Sequence, residues 1–131
     1  MTPYRFVPHT ADIAVELVAP DEAGLRAAGL DALRELLVGS SAVRAQQERP
    51  IESRGRNAGE RLVRFLAGAL YLYDAERFVP ARAGPAGVLG EQFDPTRHTA
   101  AREVKAVTHH DATVQRDDQG GGLRATLVFD V

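Results

Sequence analysis

Residues 6–20 read FVPHTADIAVELVAP. Phe6 and Val7 end one run with a strand-like pattern, and Ile13, Val15 and Leu17 begin another, so the stretch predicts two strands over Tyr4–Val7 and Ile13–Val18. Between them lie Pro8, His9, Thr10 and Asp12. A histidine and a carboxylate therefore stand in the tight middle of a hairpin-like element whose flanks are built for burial. An Asp after His-Thr serves either to hydrogen-bond its own backbone in a turn or to line a polar site.

The rest of the pattern follows from this hairpin. Pro20-Asp21-Glu22 opens a helix with acidic groups at the positive end of its dipole. Leu25, Ala28, Ala32, Leu33, Leu36 and Leu37 recur at helical spacing, and Gly39 is the expected stop. A weak, edge-like strand is expected over 48–54, interrupted by Pro50. Asn57 and Glu60 form an N-cap with an expected capping-box return contact. They start a second helix that carries Leu62, Val63, Phe65, Leu66, Ala69, Leu70 and Tyr73 and ends near Asp74. Residues 78–93 are broken by prolines and glycines and suggest a ribbon with a loop. Strands are expected over Glu103–Thr108 and Ala112–Gln115, a glycine-rich turn over Asp117–Gly122, and a cleanly alternating strand from Leu123 to Val131. Strands thus segregate from helices. The prediction is an α+β two-layer sandwich, with two helices packed on a mostly antiparallel sheet, as a single domain over residues 1–131.

Bulk properties narrow the function classes. The chain has 131 residues, 44% hydrophobic and 26% charged, enough for one packed core. A net charge of -2 gives no global attraction to nucleic acid or to an anionic membrane, so contact with RNA would be local or delegated to a partner. The absence of cysteine excludes disulfides, thiolate metal sites and a cysteine nucleophile. No apolar run reaches the roughly 20 residues of a membrane span, and no signal peptide opens the chain, so a cytoplasmic protein is the expectation. Fifteen arginines stand beside a single lysine, Lys105. In so arginine-rich a chain, a retained lysine is either a stray surface residue or a position that uses a compact, rotatable ammonium.

The candidates for chemistry are His9, Asp12, Lys105, His109, His110, Asp111 and Asp130. Asp130 follows Leu127-Val128-Phe129 at the strand's end. Beside the carboxylate of Val131 it forms an oxygen-rich end that repels itself unless a cation intervenes. Asp12, if it came near, would complete a set of hard-oxygen ligands for Mg²⁺, Mn²⁺ or Ca²⁺. The alternative leaves Asp130 solvated at a chain end. In THHD (108–111), adjacent strand side chains point to opposite faces, so a zinc site there would need a further ligand such as His98 and is disfavoured. No Walker loop and no Ser-His-Asp signature is present.

Five segments in order, HTAD (9–12), LYLYDAE (70–76), GEQFDPTRH (90–98), EVKAVTHH (103–110) and the final VFDV, resemble the archease family over nearly the whole chain. The resemblance implies a small α/β layered fold and an accessory role. Archeases serve RtcB-type RNA ligases, which join 2′,3′-cyclic phosphate or 3′-phosphate RNA ends to 5′-hydroxyl ends with GTP and Mn²⁺. They are thought to promote guanylylation of the ligase and its multiple turnover, in tRNA splicing and RNA repair. RNA is then contacted only through the ligase. By position, the resemblance implies a divalent metal site at Asp12, Asp130 and the carboxylate of Val131. It puts His9, Lys105 and His110 near the partner or its nucleotide, with Lys105 either neutralising the carboxylates or meeting a phosphate. The chain departs from the family pattern in its second helix, where Arg64, Phe65, Ala67 and Gly68 replace a polar, acidic set, and at His109, where tyrosine is usual. Rival readings are a metal-dependent nucleotide or phosphoester hydrolase and a general chaperone-like module.

Overall fold

The computed structural model describes residues 3–7, 12–108, 114–116 and 120–131. Its elements run β1 (Tyr4–Val7), β2 (Asp12–Ala19), α1 (Glu22–Val38), β3 (Gln47–Pro50), α2 (Ala58–Glu76), β4 (Phe78–Ala83), β5 (Gly87–Gln92), β6 (Ala106–Thr108), β7 (Gln115–Arg116) and β8 (Leu123–Asp130). Every strand pairing is antiparallel. The two-layer arrangement of helices against antiparallel strands matches the sequence reading. The strands, however, form two sheets rather than one: a five-stranded sheet of order β1-β2-β8-β6, with β7 also on β8, and a three-stranded sheet of order β3-β5-β4. Both helices bridge them, α1 resting on β2 and β4 and α2 on β4 and β6.

The alternation of β2 and β8 decides which face is inside. Val15 and Leu17 of β2 and Leu127 and Phe129 of β8 are completely buried against the helices. Each such side chain contributes about 1.5–3 kcal/mol of burial free energy. The helices supply the other half of one apolar cluster through Leu30, Leu33, Leu37 and Leu66. The N-cap predicted at Asn57 is present, and Asp21 caps the first helix in the same way. Asp21 accepts from Gly24 N–H at 2.8 Å, and Asn57 accepts from Glu60 N–H at 2.9 Å. The return contact from Glu60 is replaced, because its carboxylate lies between Arg56 and Arg64. Gly39 stops α1 with φ +61°, and α2 runs to Glu76, where Arg77 closes it in the left-handed region at φ +56°. No helix among the described residues is long and apolar enough to cross a membrane.

Two strand expectations shift for physical reasons. The strand expected over 48–54 is Gln47–Pro50. Past Pro50 the chain leaves the sheet edge, and Ile51 lies against α2 at Gly68, where a Cβ would stand 2.6 Å from the Ile51 Cγ2. The strand expected over Glu103–Thr108 is only Ala106–Thr108, because its partner β8 ends at Asp130. One bond survives before it, from Lys105 N–H to the Asp130 carbonyl at 2.7 Å. Gln115–Arg116 pairs with β8, and the remainder of the strand expected over 112–115 lies mostly outside the described residues.

The segment after β5 is tied down by a buried polar hub. Glu91 and His98 are the two buried polar or charged side chains among the described residues. Glu91 receives the Arg97 guanidinium, the Arg44 backbone N–H at 2.7 Å and the His98 Nε2 at 3.1 Å. The Nδ1 of His98 accepts from the Asp94 N–H at 2.9 Å, which fixes the neutral tautomer with its proton on Nε2, donated to Glu91. Both ring nitrogens are thereby engaged, so the use of His98 as a zinc ligand is ruled out without dismantling the hub. Burial pushes the Glu91 carboxyl up, but the bonds from Arg97, Arg44 and His98 more than reverse this and bring it from 4.5 down to about 2.

A folded value below the ordinary one means stability that is fully present above pH 4.5 and lost as pH falls towards 2. The contribution is on the order of 3 kcal/mol. Chemical denaturation of Glu91→Gln is expected to show a loss of about 2–4 kcal/mol at pH 7 and a flatter acid limb across that window. An acid limb identical to that of the parent chain would remove Glu91 as its source.

Candidate functional site: a cross-strand acid pair

The β2–β8 ladder aligns Asp12 with Asp130, then Ile13 with Phe129, and so on to Ala19 with Leu123. The first residue of β2 and the last of β8 are therefore direct partners. In such a pair the Cβ atoms stand about 4.5–5.5 Å apart on one face of the sheet. Because side chains alternate, Ile13 and Phe129 belong to the helix-covered face and the two carboxylates to the outer one. β6 extends the row by pairing Ala106 with Asp130. The next outer row holds Val7, Ala14, Val128 and Thr108, of which Ala14 and Val128 are buried. Thus two half-buried acids sit at the margin of a small apolar strip.

Val131 follows Asp130 directly and is half-buried against the core cluster. Two carboxylates with an adjacent main-chain oxygen are the donor chemistry that hard divalent cations favour. Among the described residues, no group of three or more His, Cys, Asp or Glu side chains is arranged to hold a metal ion. The remaining sequence candidates distribute as follows. His9 and His110, with His109 and Asp111, lie outside the described residues. Lys105 is exposed and is held beside the pair by its backbone bond to Asp130. Its side chain lines a different surface hollow, with Tyr73, Asp74 and Arg77 at the end of α2.

The departures in α2 resolve into two kinds. Phe65 is buried, and Gly68 admits Ile51, so these two changes are packing changes. Arg64 and Ala67 are exposed, and Arg64 pairs with Glu60 at 3.3 Å. Further along the helix stands Tyr71, 66% exposed, the largest apolar side chain presented to solvent among the described residues. The Glu91–His98 hub and the Arg77 cap went unread in the sequence. The spacing of GEQFDPTRH contained the hub's residues, but nothing local shows that Glu91 is buried.

Comparison with known proteins bears on the family and the fold. The model of the archease protein family matches residues 4–131. The chain is 31% identical to the protein archease of Pyrococcus furiosus, across the whole of both chains. It is 32% identical to that of Methanopyrus kandleri, over 88% of this chain and 91% of the relative. The solution structure of Methanobacterium thermoautotrophicum protein 1598 superposes over the whole of both chains with a TM-score of 0.76 at 24% identity, a likeness of fold. With the family match running from β1 to the residue after the acid pair, this chain belongs to the archease family.

Proposed function

We propose that this chain is an accessory protein, not itself a catalyst, for an RtcB-type RNA ligase, and that residues 1–131 act as one unit in promoting the ligase's guanylylation and multiple turnover. The observation that supports this reading most is the register pairing of Asp12 with Asp130, in a chain that belongs to the archease family. A cross-strand pair of carboxylates brings two hard-oxygen donors to one point of the sheet. Its position at the end of the central ladder makes sense as a site that meets a cation.

In this proposal Asp12, Asp130 and a main-chain oxygen of Val131 hold one divalent ion, Ca²⁺, Mg²⁺ or Mn²⁺. The ion supplies positive charge where phosphates must be positioned. The chain's own part is to fix the two carboxylates. The ladder behind them is anchored by Phe129 and Leu127, so the acids cannot drift apart without unpacking the core. His9, Lys105 and His110 face the partner or its nucleotide. Activation then works as a population shift, in which the accessory chain binds one state of the ligase more tightly than the other. RNA is reached through the ligase, as the net charge of -2 favours.

In guanylylation and multiple-turnover ligation assays with the cognate ligase, Asp130→Ala is expected to abolish stimulation. Its stability should stay within about 0.5 kcal/mol of the parent, since Asp130 is a half-buried residue at the end of its strand. Full stimulation by that variant would falsify the metal reading. Lys105→Arg keeps the charge but not the compact ammonium, so a partial loss of stimulation is expected. Unchanged stimulation would return Lys105 to an ordinary surface role.

A further inference from the structure

Most arginines among the described residues sit beside a carboxylate. Among the described residues Arg77, Arg102 and Lys105 form no ion pair, a trait they share with Arg26, Arg82 and Arg116 and that leaves their charge available. Arg77, Arg102 and Lys105 line one hollow of about 550 Å³ at the C-terminal end of α2. Asp74 and Glu103 line it too, also outside any ion pair, and the buried Tyr73 and Val104 contribute to its wall. The lining charges therefore sum to one net positive charge, from three cations and two carboxylates. The volume falls within the range of small-molecule sites.

Arg77 adds an independent sign. It caps α2 in the left-handed region, where glycine is the unstrained choice. An arginine there carries a conformational cost of order 1 kcal/mol or more. Its guanidinium is stacked on two rings, 4.9 Å from the Tyr73 centroid and 5.5 Å from that of Phe93. A cation so held has already lost much of its rotamer freedom before any ligand arrives. The strained cap thus directs a pre-oriented guanidinium to the rim of the hollow.

We propose that this hollow binds a ribonucleotide phosphate, with the phosphate on Arg77, Arg102 and Lys105 and the ribose hydroxyls on Asp74 and Glu103. A phosphate accepts from guanidinium and ammonium donors. Carboxylates left without cations accept from vicinal hydroxyls, the chemistry by which an acidic residue holds a ribose in dinucleotide sites. Inorganic phosphate would meet the cations but not satisfy the acids, and a polyphosphate would be repelled by them. The source is a free nucleotide, whose two ribose hydroxyls are both open; the phosphorylated end of an RNA strand, with one of them esterified, would leave an acid unmet. The site goes beyond the accessory reading and does not depend on it, because binding is a property of this chain alone.

The test is titration of the isolated protein, followed by calorimetry and amide NMR. The probes are adenosine 5′-monophosphate, its 2′-deoxy analogue, inorganic phosphate, and a short single-stranded oligoribonucleotide ending in a 3′-phosphate. A ribonucleotide Kd below about 1 mM is expected, with shifts clustered at residues 73–77 and 100–105. The deoxy analogue and inorganic phosphate should bind more weakly. Arg102→Gln and Lys105→Gln change exposed side chains and leave the fold intact, and each should raise Kd about tenfold. Asp74→Asn should narrow the preference for ribose. The oligonucleotide, with one hydroxyl of its terminal ribose esterified, should bind more weakly than the mononucleotide, and tighter binding of it would overturn the assignment of the ribose to the two acids. No shifts up to about 10 mM, shifts elsewhere on the surface, or affinities unmoved in both cation variants overturn the proposal.

Discussion

The eight-residue ladder between β2 and β8 is the constraint on which the rest of the molecule depends. Its register is set by burial. Val15, Leu17, Leu127 and Phe129 are wholly enclosed, and a slip of one residue in either strand would turn that strand's members of this set to solvent. The same slip would drive its aspartate under the helices, where burying a carboxylate is expensive. The pairing of Asp12 with Asp130 is therefore not decided locally. It is the far end of a packing solution whose free energy comes from leucine, valine and phenylalanine.

A second constraint organises the surface beyond that ladder. The Glu91 hub closes a turn at Asp94 and buries His98, and the chain then runs exposed from Thr99 to Glu103. That stretch is tied to the end of α1 by Thr99 N–H to the Ser41 hydroxyl at 3.0 Å and by Ala101 N–H to the Leu37 carbonyl at 2.8 Å. It forms one wall of the hollow at the end of α2. A buried ionic group of this kind contributes little net stability against an apolar substitute, but removing one partner alone is costly. Its role here is to specify one path for a segment with no strand partner of its own.

Much of this was legible in the chain. Period-two alternation marked β2 and β8, period-3.6 spacing marked both helices, and Asp21 and Asn57 marked their starts, because each signal is local and each element buries one face. What failed was relational. Alternation says that a strand has a buried face but not which sheet it joins, so one sheet was expected where two exist. The end of β6 depends on where β8 stops, and the end of β3 on where Ile51 finds Gly68. Spacing alone left Asp12 and Asp130 unconnected, since their pairing is written in the register of nonlocal contacts, and the archease resemblance supplied what spacing could not. His98 was weighed as a metal ligand because a zinc site at THHD would need a further ligand from elsewhere in the chain. In the fold it is an acid's hydrogen-bond donor, a fact carried by the burial of Glu91.

Opposite charges end up on opposite sides of one sheet margin. The carboxylates of Asp12 and Asp130 occupy the outer face, while Arg77, Arg102 and Lys105 gather by the helix layer, and the Lys105 N–H to Asp130 carbonyl bond joins the two regions. A net charge of -2 averages these away, which is why composition reveals neither. Interactions between exposed charges fade beyond a Debye length of about 8 Å at physiological salt. What a partner meets is thus the local arrangement, an acidic margin and a basic hollow on one rigid strand end. Such an end is suited to a partner surface that brings cations and phosphates together. Neither sign of charge alone would select for it.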